Sequence, residues 1–316
     1  MDNEKLAEGI IKTLSYFSLY EYPLTGFELQ TYLISQNKNS NEQVSTTLNE
    51  LKKIKAIDFA QGFYFLFGEN EIIKKRLSRY TIFLQKTRKT KRYLKLISLI
   101  PFVNGIFICN ELSLQNSKNE SDIDLAIITA KNKIWFCRFW ANLLMKFLHA
   151  RPTSKNKKNK ICLSFWLDEN HLNLERISTD QNIRLAFWLR TFWPVFLNDE
   201  LILKKLRQEN RWLGEFFSEF SFSNTTEHFN LKKNNSKFFL EKILSKRIGT
   251  IMNCILKKIQ LHVLPKKIKE LAKRNNSGVI ISDQILKLHL NDDRATIKTR
   301  WQLKYQKVLE NKKDRR

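Results

Sequence analysis

The chain has few of the residues from which common cofactor-binding and catalytic motifs are made. Eight glycines occur in 316 residues. None lies in a Gly-x-Gly-x-x-Gly pattern, which excludes a glycine-rich phosphate loop of that kind. The histidines form no arrangement from which a Ser-His-Asp triad can be inferred. His289, Asp292 and Asp293 lie close together in sequence, but a cap or surface ion pair is a commoner role for such a group than a metal site.

Cysteines and long apolar runs are also scarce. The four cysteines, Cys109, Cys137, Cys162 and Cys254, lie far apart without metal-ligand spacing. This pattern indicates reduced intracellular thiols, most of them packed in the core. The N-terminus has no cationic segment followed by an apolar one, so we expect no secretion signal. No apolar run reaches the roughly 18 residues needed to span a bilayer. We therefore expect a cytoplasmic protein with no membrane partner.

Positive charge, in contrast, is abundant. The chain has 56 Lys and Arg against 31 Asp and Glu, which gives a formal net charge of +25. Such an excess indicates an anionic partner, either nucleic acid or a phosphorylated substrate. A background composition rich in Lys and Asn would produce the same excess without that partner. The hydrophobic content of 42% is enough for a substantial core, in two or three domains.

The stretch with the clearest chemical content is Ser121-Asp122-Ile123-Asp124, which leads into an apolar strand. Because alternate side chains of a strand share a face, Asp122 and Asp124 are predicted to project side by side. Adjacent carboxylates repel each other and lose water on burial unless a cation or a donor compensates. A Mg²⁺ ion is the simplest answer, since it favours one or two carboxylates together with substrate phosphates.

This stretch resembles the DNA polymerase beta-like nucleotidyltransferase superfamily, which carries Gly-Ser followed at a set distance by Asp-x-Asp. Asp122-x-Asp124 is intact, and Asn110-Glu111 stands where the superfamily has Gly-Ser. The resemblance implies that Asp122 and Asp124 are catalytic and bind two Mg²⁺ ions. It also implies that Asn110, Glu111 and Ser121 lie at the nucleotide. Asn imitates in part the positive φ of glycine, whereas Glu111 would repel a triphosphate unless it is turned away or holds metal.

The superfamily usually has a third carboxylate, on a later strand, that deprotonates the attacking hydroxyl. The apolar run from Ile161 to Asp168 predicts that strand. Ser164 occupies the mid-strand position where the acid is expected, and Asp168 lies on the same face near the strand end. By this resemblance Asp168 is the candidate third catalytic residue.

Two functions are compatible with these residues. The first is a Mg²⁺-dependent nucleotidyltransferase that passes a nucleoside monophosphate from a nucleoside triphosphate to a hydroxyl acceptor. The second is a catalytically degenerate nucleotidyltransferase fold that binds nucleotide or nucleic acid and is regulatory through its N-terminal domain. Retention of both aspartates favours the first, and loss of Gly-Ser favours the second.

The remaining sequence predicts an α+β protein in four parts. Three short helices and a hairpin over 1–70 resemble a winged helix-turn-helix domain. A basic helix over 71–98 connects this domain to a nucleotidyltransferase-like domain with a mixed sheet over 99–180. The region 181–316 is predicted to be helical, with a polar loop at 223–235. This order resembles a group of bacterial proteins with an N-terminal winged helix, a nucleotidyltransferase-like centre and a helical C-terminus.

In a winged helix the third helix, here about 42–54, reads a DNA groove. Its predicted outward residues are Gln43, Thr46, Thr47, Asn49 and Glu50. The helix is not strongly basic before Lys52, so packing or docking against protein accounts for it at least as well.

Overall fold

The chain folds into an α+β structure with two sheets. The computed structural model describes residues 2–178, 183–220, 222, 231, 235–244, 247–274, 278–290 and 292–313. The N-terminal elements are α1 (Asp2–Ser18), β1 (Leu24–Thr25), α2 (Gly26–Tyr32), α3 (Asn41–Lys53), β2 (Ile57–Ala60) and β3 (Phe63–Leu66). The three short helices and the hairpin predicted for this part are therefore present.

Local sequence signals account for these N-terminal elements. The Thr25 hydroxyl accepts the backbone N–H of Glu28, and the Glu28 carboxylate accepts the backbone N–H of Thr25, so a capping box begins α2. The hairpin of β2 and β3 turns at Gln61 and Gly62, whose φ values are +52° and +83°. Two consecutive positive φ values match the right-handed twist of the strands, and glycine adopts one without strain.

One predicted outward residue of α3 is not outward. Thr47 is 1% exposed, and its hydroxyl donates to the backbone carbonyl of Gln43 at 2.9 Å. A helix completes a turn in 3.6 residues, so Thr47 lies beside the buried Val44 and Leu48. The other residues predicted to face outward are exposed: Gln43, Thr46, Asn49 and Glu50.

The second sheet has six strands and forms the centre of the structure. The elements that build and connect it are α4 (Glu71–Ser98), β4 (Val103–Ile108), α5 (Asn110–Ser113), β5 (Ile123–Thr129), α6 (Ile134–Phe147), β6 (Ile161–Asp168), α7 (Ile183–Arg190), β7 (Trp193–Leu197), β8 (Val279–Ile281) and β9 (Ile285–Leu288). The strand order is β7-β4-β5-β6-β9-β8. Neighbouring strands are antiparallel except β5 and β6, which are parallel and joined through α6.

The sequence predicts a helical region over 181–316, and the structure corrects this prediction. This region contributes β7, β8 and β9 to the central sheet. The apolar run 183–197 is α7 followed by β7, and Pro194 lies in a strand that pairs with β4 alone. An edge strand tolerates proline, because one side of it forms no ladder hydrogen bonds. A boundary at residue 180 therefore does not separate a sheet domain from a helical one.

The described part of the C-terminal region also contains helices. Those after β7 are α8 (Leu201–Glu209), α9 (Asn235–Leu244), α10 (Arg247–Val263), α11 (Lys266–Lys273) and α12 (Arg294–Lys313). Helix α12 returns to the N-terminal unit, where the Trp301 indole N–H donates to the Lys12 carbonyl at 2.9 Å. The polar loop predicted at 223–235 lies almost entirely outside the described residues.

The two faces of the central sheet pack against different helices. Phe107, Ala126 and Phe165 face a core that includes the N-terminal helices and α7. Ile127 and Trp166, on the opposite face, belong to a second core with residues of α4, α6 and α10. Buried apolar residues in adjacent positions on the central strands explain why these sequences read as continuous hydrophobic runs.

The four cysteines are free thiols in the structure. Cys109 and Cys137 are buried, Cys162 is partly buried and Cys254 is exposed, so core packing applies to two of the four. Within the ranges that the structure covers, no helix combines the length and apolar character required to cross a bilayer.

Phe187 joins the N-terminal unit to the region beyond residue 180. Its ring is 1% exposed, stacks on Tyr16 with centroids 4.0 Å apart and meets Phe17 edge-on at 5.1 Å. We predict that Phe187→Ala lowers the free energy of unfolding, measured in urea, by about 3–5 kcal/mol. Phe27→Ala is the control, since Phe27 is 79% exposed and its loss should change stability by less than about 0.5 kcal/mol. Equal effects of the two substitutions would contradict this packing.

Candidate active site

Strand β5 brings the two predicted aspartates together. Asp122 immediately precedes the strand and Asp124 is its second residue, so the pleat directs both side chains to one face. Ligand atoms of Asp122, Asp124 and Cys162 all lie within 4.8 Å of one another. Both aspartates are partly buried. The arrangement offers two carboxylates and a thiol to a single cation.

The aspartates line a cavity of about 430 Å³, a volume typical of small-molecule sites. Residues of α1, α5, α7 and α12 form its other walls, so both ends of the chain contribute. Three cations line it: Lys118, Arg184 and Arg300. Arg184 forms an ion pair with Asp293 at 2.8 Å, and the Lys118 ammonium lies 3.9 Å from the Glu111 carboxylate. The cavity therefore combines an acidic pair with cations that can meet an anionic ligand.

Asn110 occupies the position where the resembling superfamily has glycine. Its φ is +59°, in the left-handed region that glycine and asparagine adopt more readily than other residues. Its side-chain N–H donates to Oδ2 of Asp124 at 2.7 Å. Asn110 thus supplies the backbone conformation expected there and also holds one of the two carboxylates.

Glu111 and Ser121 also line the cavity. The Glu111 carboxylate accepts the backbone N–H of Lys118 at 3.2 Å, so it is held by the loop that precedes the aspartates. The Ser121 hydroxyl donates to the Lys118 carbonyl at 2.8 Å. The buried ammonium of Lys86 donates to the Ser121 carbonyl at 2.5 Å. These bonds position the loop that delivers Asp122.

Asp168 does not join the pair, which corrects its assignment as the third acid. The parallel register pairs Asp124 with Cys162 and Thr129 with Asp168. Asp168 therefore lies near the far end of the sheet, about 20 Å along the strand direction at roughly 3.3 Å per residue. Its carboxylate, in a residue 1% exposed, accepts the backbone N–H groups of Asn132 at 2.6 Å and Asn170 at 2.9 Å. Asp168 stabilises the loops that follow β5 and β6.

Three residues near the pair were not predicted as site residues. Cys162 lies opposite Asp124 in the register, and its thiol donates to the Ser164 hydroxyl at 3.3 Å. The Ser164 hydroxyl lies 3.2 Å from Nε2 of His289, the residue that follows β9. Strand alternation places Cys162 and Ser164 on one face, but the neighbour of Asp124 follows only from the β5–β6 register. His289 is 125 residues from Ser164, so no local sequence signal identifies this contact.

The group of His289, Asp292 and Asp293 is held by cations. Asp292 accepts from the Arg294 guanidinium at 2.6 Å, and Asp293 pairs with Arg184. Burial and, to a smaller extent, the nearby cations lower the pKa of His289 to about 4. His289 is therefore neutral near pH 7. These contacts agree with ion pairing, the commoner role expected for this group.

Burial is the main electrostatic influence on the aspartate pair. It raises the pKa of Asp124 to about 6, with the negative charge of Asp122 as the next contribution. Burial also raises the pKa of Asp122, against the opposing effect of Lys157 and Lys86. Each carboxylate thus loses water and faces a like charge, and a bound divalent cation would offset both costs.

Searches against protein-family models, curated proteins and solved structures gave no match for this chain.

The raised pKa of Asp124 predicts a pH-dependent loss of stability. An unfolded aspartate has a pKa of about 3.9. Between that value and about 6 the folded state binds the proton more tightly, so ionisation weakens folding as pH rises. In a metal-free buffer, Asp124→Asn should therefore gain on the order of 2 kcal/mol relative to wild type between about pH 4 and pH 7. Urea unfolding at both pH values measures the difference.

Asp58→Asn is the control for this experiment, because Asp58 lies on β2 and outside the cavity. A pH-dependent gain of the same size in this control would show that the effect is not specific to Asp124. Parallel pH profiles for wild type and Asp124→Asn would contradict the electrostatic description of the pair.

Proposed function

We propose that the protein is a Mg²⁺-dependent nucleotidyltransferase, which transfers a nucleoside monophosphate from a nucleoside triphosphate to a hydroxyl acceptor. The observation that carries this proposal is the aspartate pair, with ligand atoms within 4.8 Å, at the wall of the 430 Å³ cavity. An acidic pair at the start of a buried strand costs free energy, which a divalent cation and a phosphate would offset.

The donor set fits Mg²⁺ through its carboxylates. Mg²⁺ is commonly bound by one or two carboxylates while phosphate oxygens and water complete its octahedron. Asp122 and Asp124 supply the carboxylates, and the cavity leaves room for the other ligands. The Cys162 thiol is a soft donor and suits Mg²⁺ poorly. We therefore assign the ions to the two aspartates and leave Cys162 outside their ligand set.

In the proposed reaction, the acceptor hydroxyl gives up its proton to solvent and its oxygen forms a bond to the α-phosphorus. The bond from that phosphorus to the bridging oxygen breaks and releases pyrophosphate. When bound, Mg²⁺ would polarise the α-phosphate and stabilise negative charge on the leaving group. Asp122 and Asp124 would hold the ions beside the phosphates. Lys118, Arg184 and Arg300 lie on the cavity wall, where they can bind the triphosphate tail and then the pyrophosphate.

A second candidate function is nucleotide or nucleic acid binding without transfer, by a degenerate nucleotidyltransferase fold. Two observations favour it. The Asn110 amide donates a hydrogen bond to Oδ2 of Asp124, an oxygen that a metal ion would otherwise bind. Within the part of the chain that the structure describes, no third carboxylate joins Asp122 and Asp124 in one cluster. In the superfamily that the sequence resembles, a third acid usually deprotonates the acceptor. A site without that acid lacks this function.

The N-terminal unit supports a further part of the proposal, that of a winged helix. Its element order α1-β1-α2-α3-β2-β3 and its three-stranded sheet β1-β3-β2 resemble those of a winged helix-turn-helix domain, which supports this part of the proposal. The exposed face of α3 carries amides, a threonine and Glu50, with Lys52 and Lys53 in its last turn. In this proposal the unit binds nucleic acid or protein and couples that binding to the cavity. The unit lines the cavity with Tyr16 of α1 and with Tyr20 of the turn that follows α1.

Radiolabelled transfer from each common nucleoside triphosphate to protein, RNA or small hydroxyl acceptors tests the function. We predict Mg²⁺-dependent transfer that falls about 100-fold or more in Asp122→Asn/Asp124→Asn, because the ions that stabilise the transferred charge are lost. Glu120→Gln is the matched control, since Glu120 is an exposed carboxylate in the same loop and should leave transfer unchanged. Transfer that survives the double substitution would refute the mechanism.

Thermal unfolding separates the two candidate functions. A nucleotide that binds the folded state raises the melting temperature, whether or not it reacts. We predict stabilisation by Mg²⁺ with nucleoside triphosphate in wild type and its loss in Asp122→Asn/Asp124→Asn. Stabilisation without detectable transfer from any nucleotide would assign the binding function instead, and no stabilisation would contradict both.

A further inference from the structure

Helix α10 exposes an apolar stripe along its whole length. The stripe is Ile248, Ile251, Ile255, Ile259 and Val263, with exposed fractions from 46% at Ile259 to 74% at Val263. The residues recur every three or four positions, so they lie on one side of the helix. An ordinary surface helix directs its apolar side to the core and its polar side to water. Helix α10 has a second apolar side that no part of the described chain covers.

A different side of α10 is anchored, so the stripe is not the side that packs in the core. The Asn253 side chain accepts the backbone N–H of Phe136 at 2.9 Å, and Gln260 donates to the Trp135 carbonyl at 2.7 Å. Leu256, between these two residues on the helix, is 9% exposed. These contacts with α6 fix the rotation of α10 and leave the stripe facing outward.

The preceding helix extends the apolar surface. On α9, Phe238 is 71% exposed and Phe239 is 65% exposed. Isolated apolar residues on a surface are ordinary, but many exposed apolar residues on two successive helices are typical of an interaction site. We call this set, together with the α10 stripe, the α9–α10 surface.

Cations border the α9–α10 surface. A groove of about 640 Å³ lies beside α10, and four of the residues that line it are Lys258, His262, Lys269 and Lys273. Lys258 directly precedes Ile259 of the stripe, so the groove and the apolar residues adjoin. Helix α10 contains no Asp or Glu, and α11 contains Glu270 alone. Apolar residues next to a lysine-lined groove match a partner that is both apolar and anionic.

Charge decides between the possible occupants. A second copy of the chain would bring another +25 and the same lysines to the interface, which opposes association. A bilayer that contains anionic lipid offers phosphates to the lysines and an apolar layer to the isoleucines and phenylalanines. We propose that the α9–α10 surface binds the face of an anionic phospholipid bilayer, with headgroup phosphates in the lysine groove. The helix lies along the bilayer and does not cross it. This proposal departs from the expectation of no membrane partner, which rests on the lack of an apolar run long enough to span a bilayer.

This surface is independent of the proposed nucleotidyltransferase site. Helix α10 packs against the face of the sheet to which Ile127 belongs. Asp124 lies two residues before Ala126 on β5, so its side chain is on the opposite face. A protein attached through α10 would therefore keep its aspartate cavity away from the lipid.

The test is co-sedimentation of the full chain with vesicles of phosphatidylcholine alone and of phosphatidylcholine mixed with phosphatidylglycerol. We expect binding to the mixed vesicles that salt weakens, and at least about tenfold weaker binding to the neutral ones. Ile251→Ser/Ile255→Ser and Lys258→Gln/Lys273→Gln should each reduce binding about tenfold or more. Leu303→Ser is the control, since Leu303 is 60% exposed on α12 and should not affect binding.

Circular dichroism and sedimentation velocity of the same proteins complete the test. All variants should keep the wild-type fold and stay monomeric. A variant that keeps its fold and loses vesicle binding supports the proposal. Equal binding of wild type and Ile251→Ser/Ile255→Ser would overturn it. A wild-type dimer that the isoleucine substitutions dissociate, without vesicle binding, would assign the surface to a second copy. Retention on duplex DNA that depends on the lysines, again without vesicle binding, would assign it to nucleic acid.

Discussion

Repulsion between the carboxylates of Asp122 and Asp124 is the constraint on which the candidate site depends. The backbone of β5 places both on one face, and burial removes much of the water that would screen them. The surrounding chain compensates in part. Lys86 and Lys157 offset charge at Asp122, and the Asn110 amide donates to Asp124. These contacts reduce the repulsion between the two carboxylates in the folded state but do not remove it. The pair can therefore still bind a cation.

The fold holds the pair at a junction of distant segments. Strand β5 supplies the aspartates, α1 comes from the N-terminal unit, and α7 and α12 come from beyond residue 180. The cavity therefore exists only when these parts pack together, and the ring of Phe187 is one contact that joins them. The lysine-bordered surface of α9 and α10 lies on the other side of the sheet. One sheet thus separates the two surfaces for which we propose ligands.

Local patterns predicted much of this structure. The apolar pattern predicted three short helices and a hairpin over 1–70, and strand alternation predicted that Asp122 and Asp124 lie together. Each of these features depends on residues a few positions apart, where backbone geometry determines which side chains meet. The α+β class and the position of α4 follow from the same kind of signal.

Features that depend on long-range pairing were not predictable in this way. A single apolar run contains both α7 and β7, and only pairing with β4 distinguishes them. The parallel register of β5 and β6 puts Cys162, and not Asp168, beside Asp124. His289 reaches Ser164 through the pairing of β6 with β9. Strand register is a property of two segments together, so the composition of either segment alone does not reveal it.

The central claim is that the two aspartates bind a divalent cation beside a phosphate. Crystals grown with Mn²⁺ and a non-hydrolysable nucleoside triphosphate, with data collected at the manganese absorption edge, test it most directly. The account predicts anomalous density between the Asp122 and Asp124 carboxylates, with the triphosphate in the adjoining cavity and the Asn110 amide released from Asp124. Bound nucleotide without anomalous density at the pair, and with the Asn110 to Asp124 hydrogen bond intact, would contradict it.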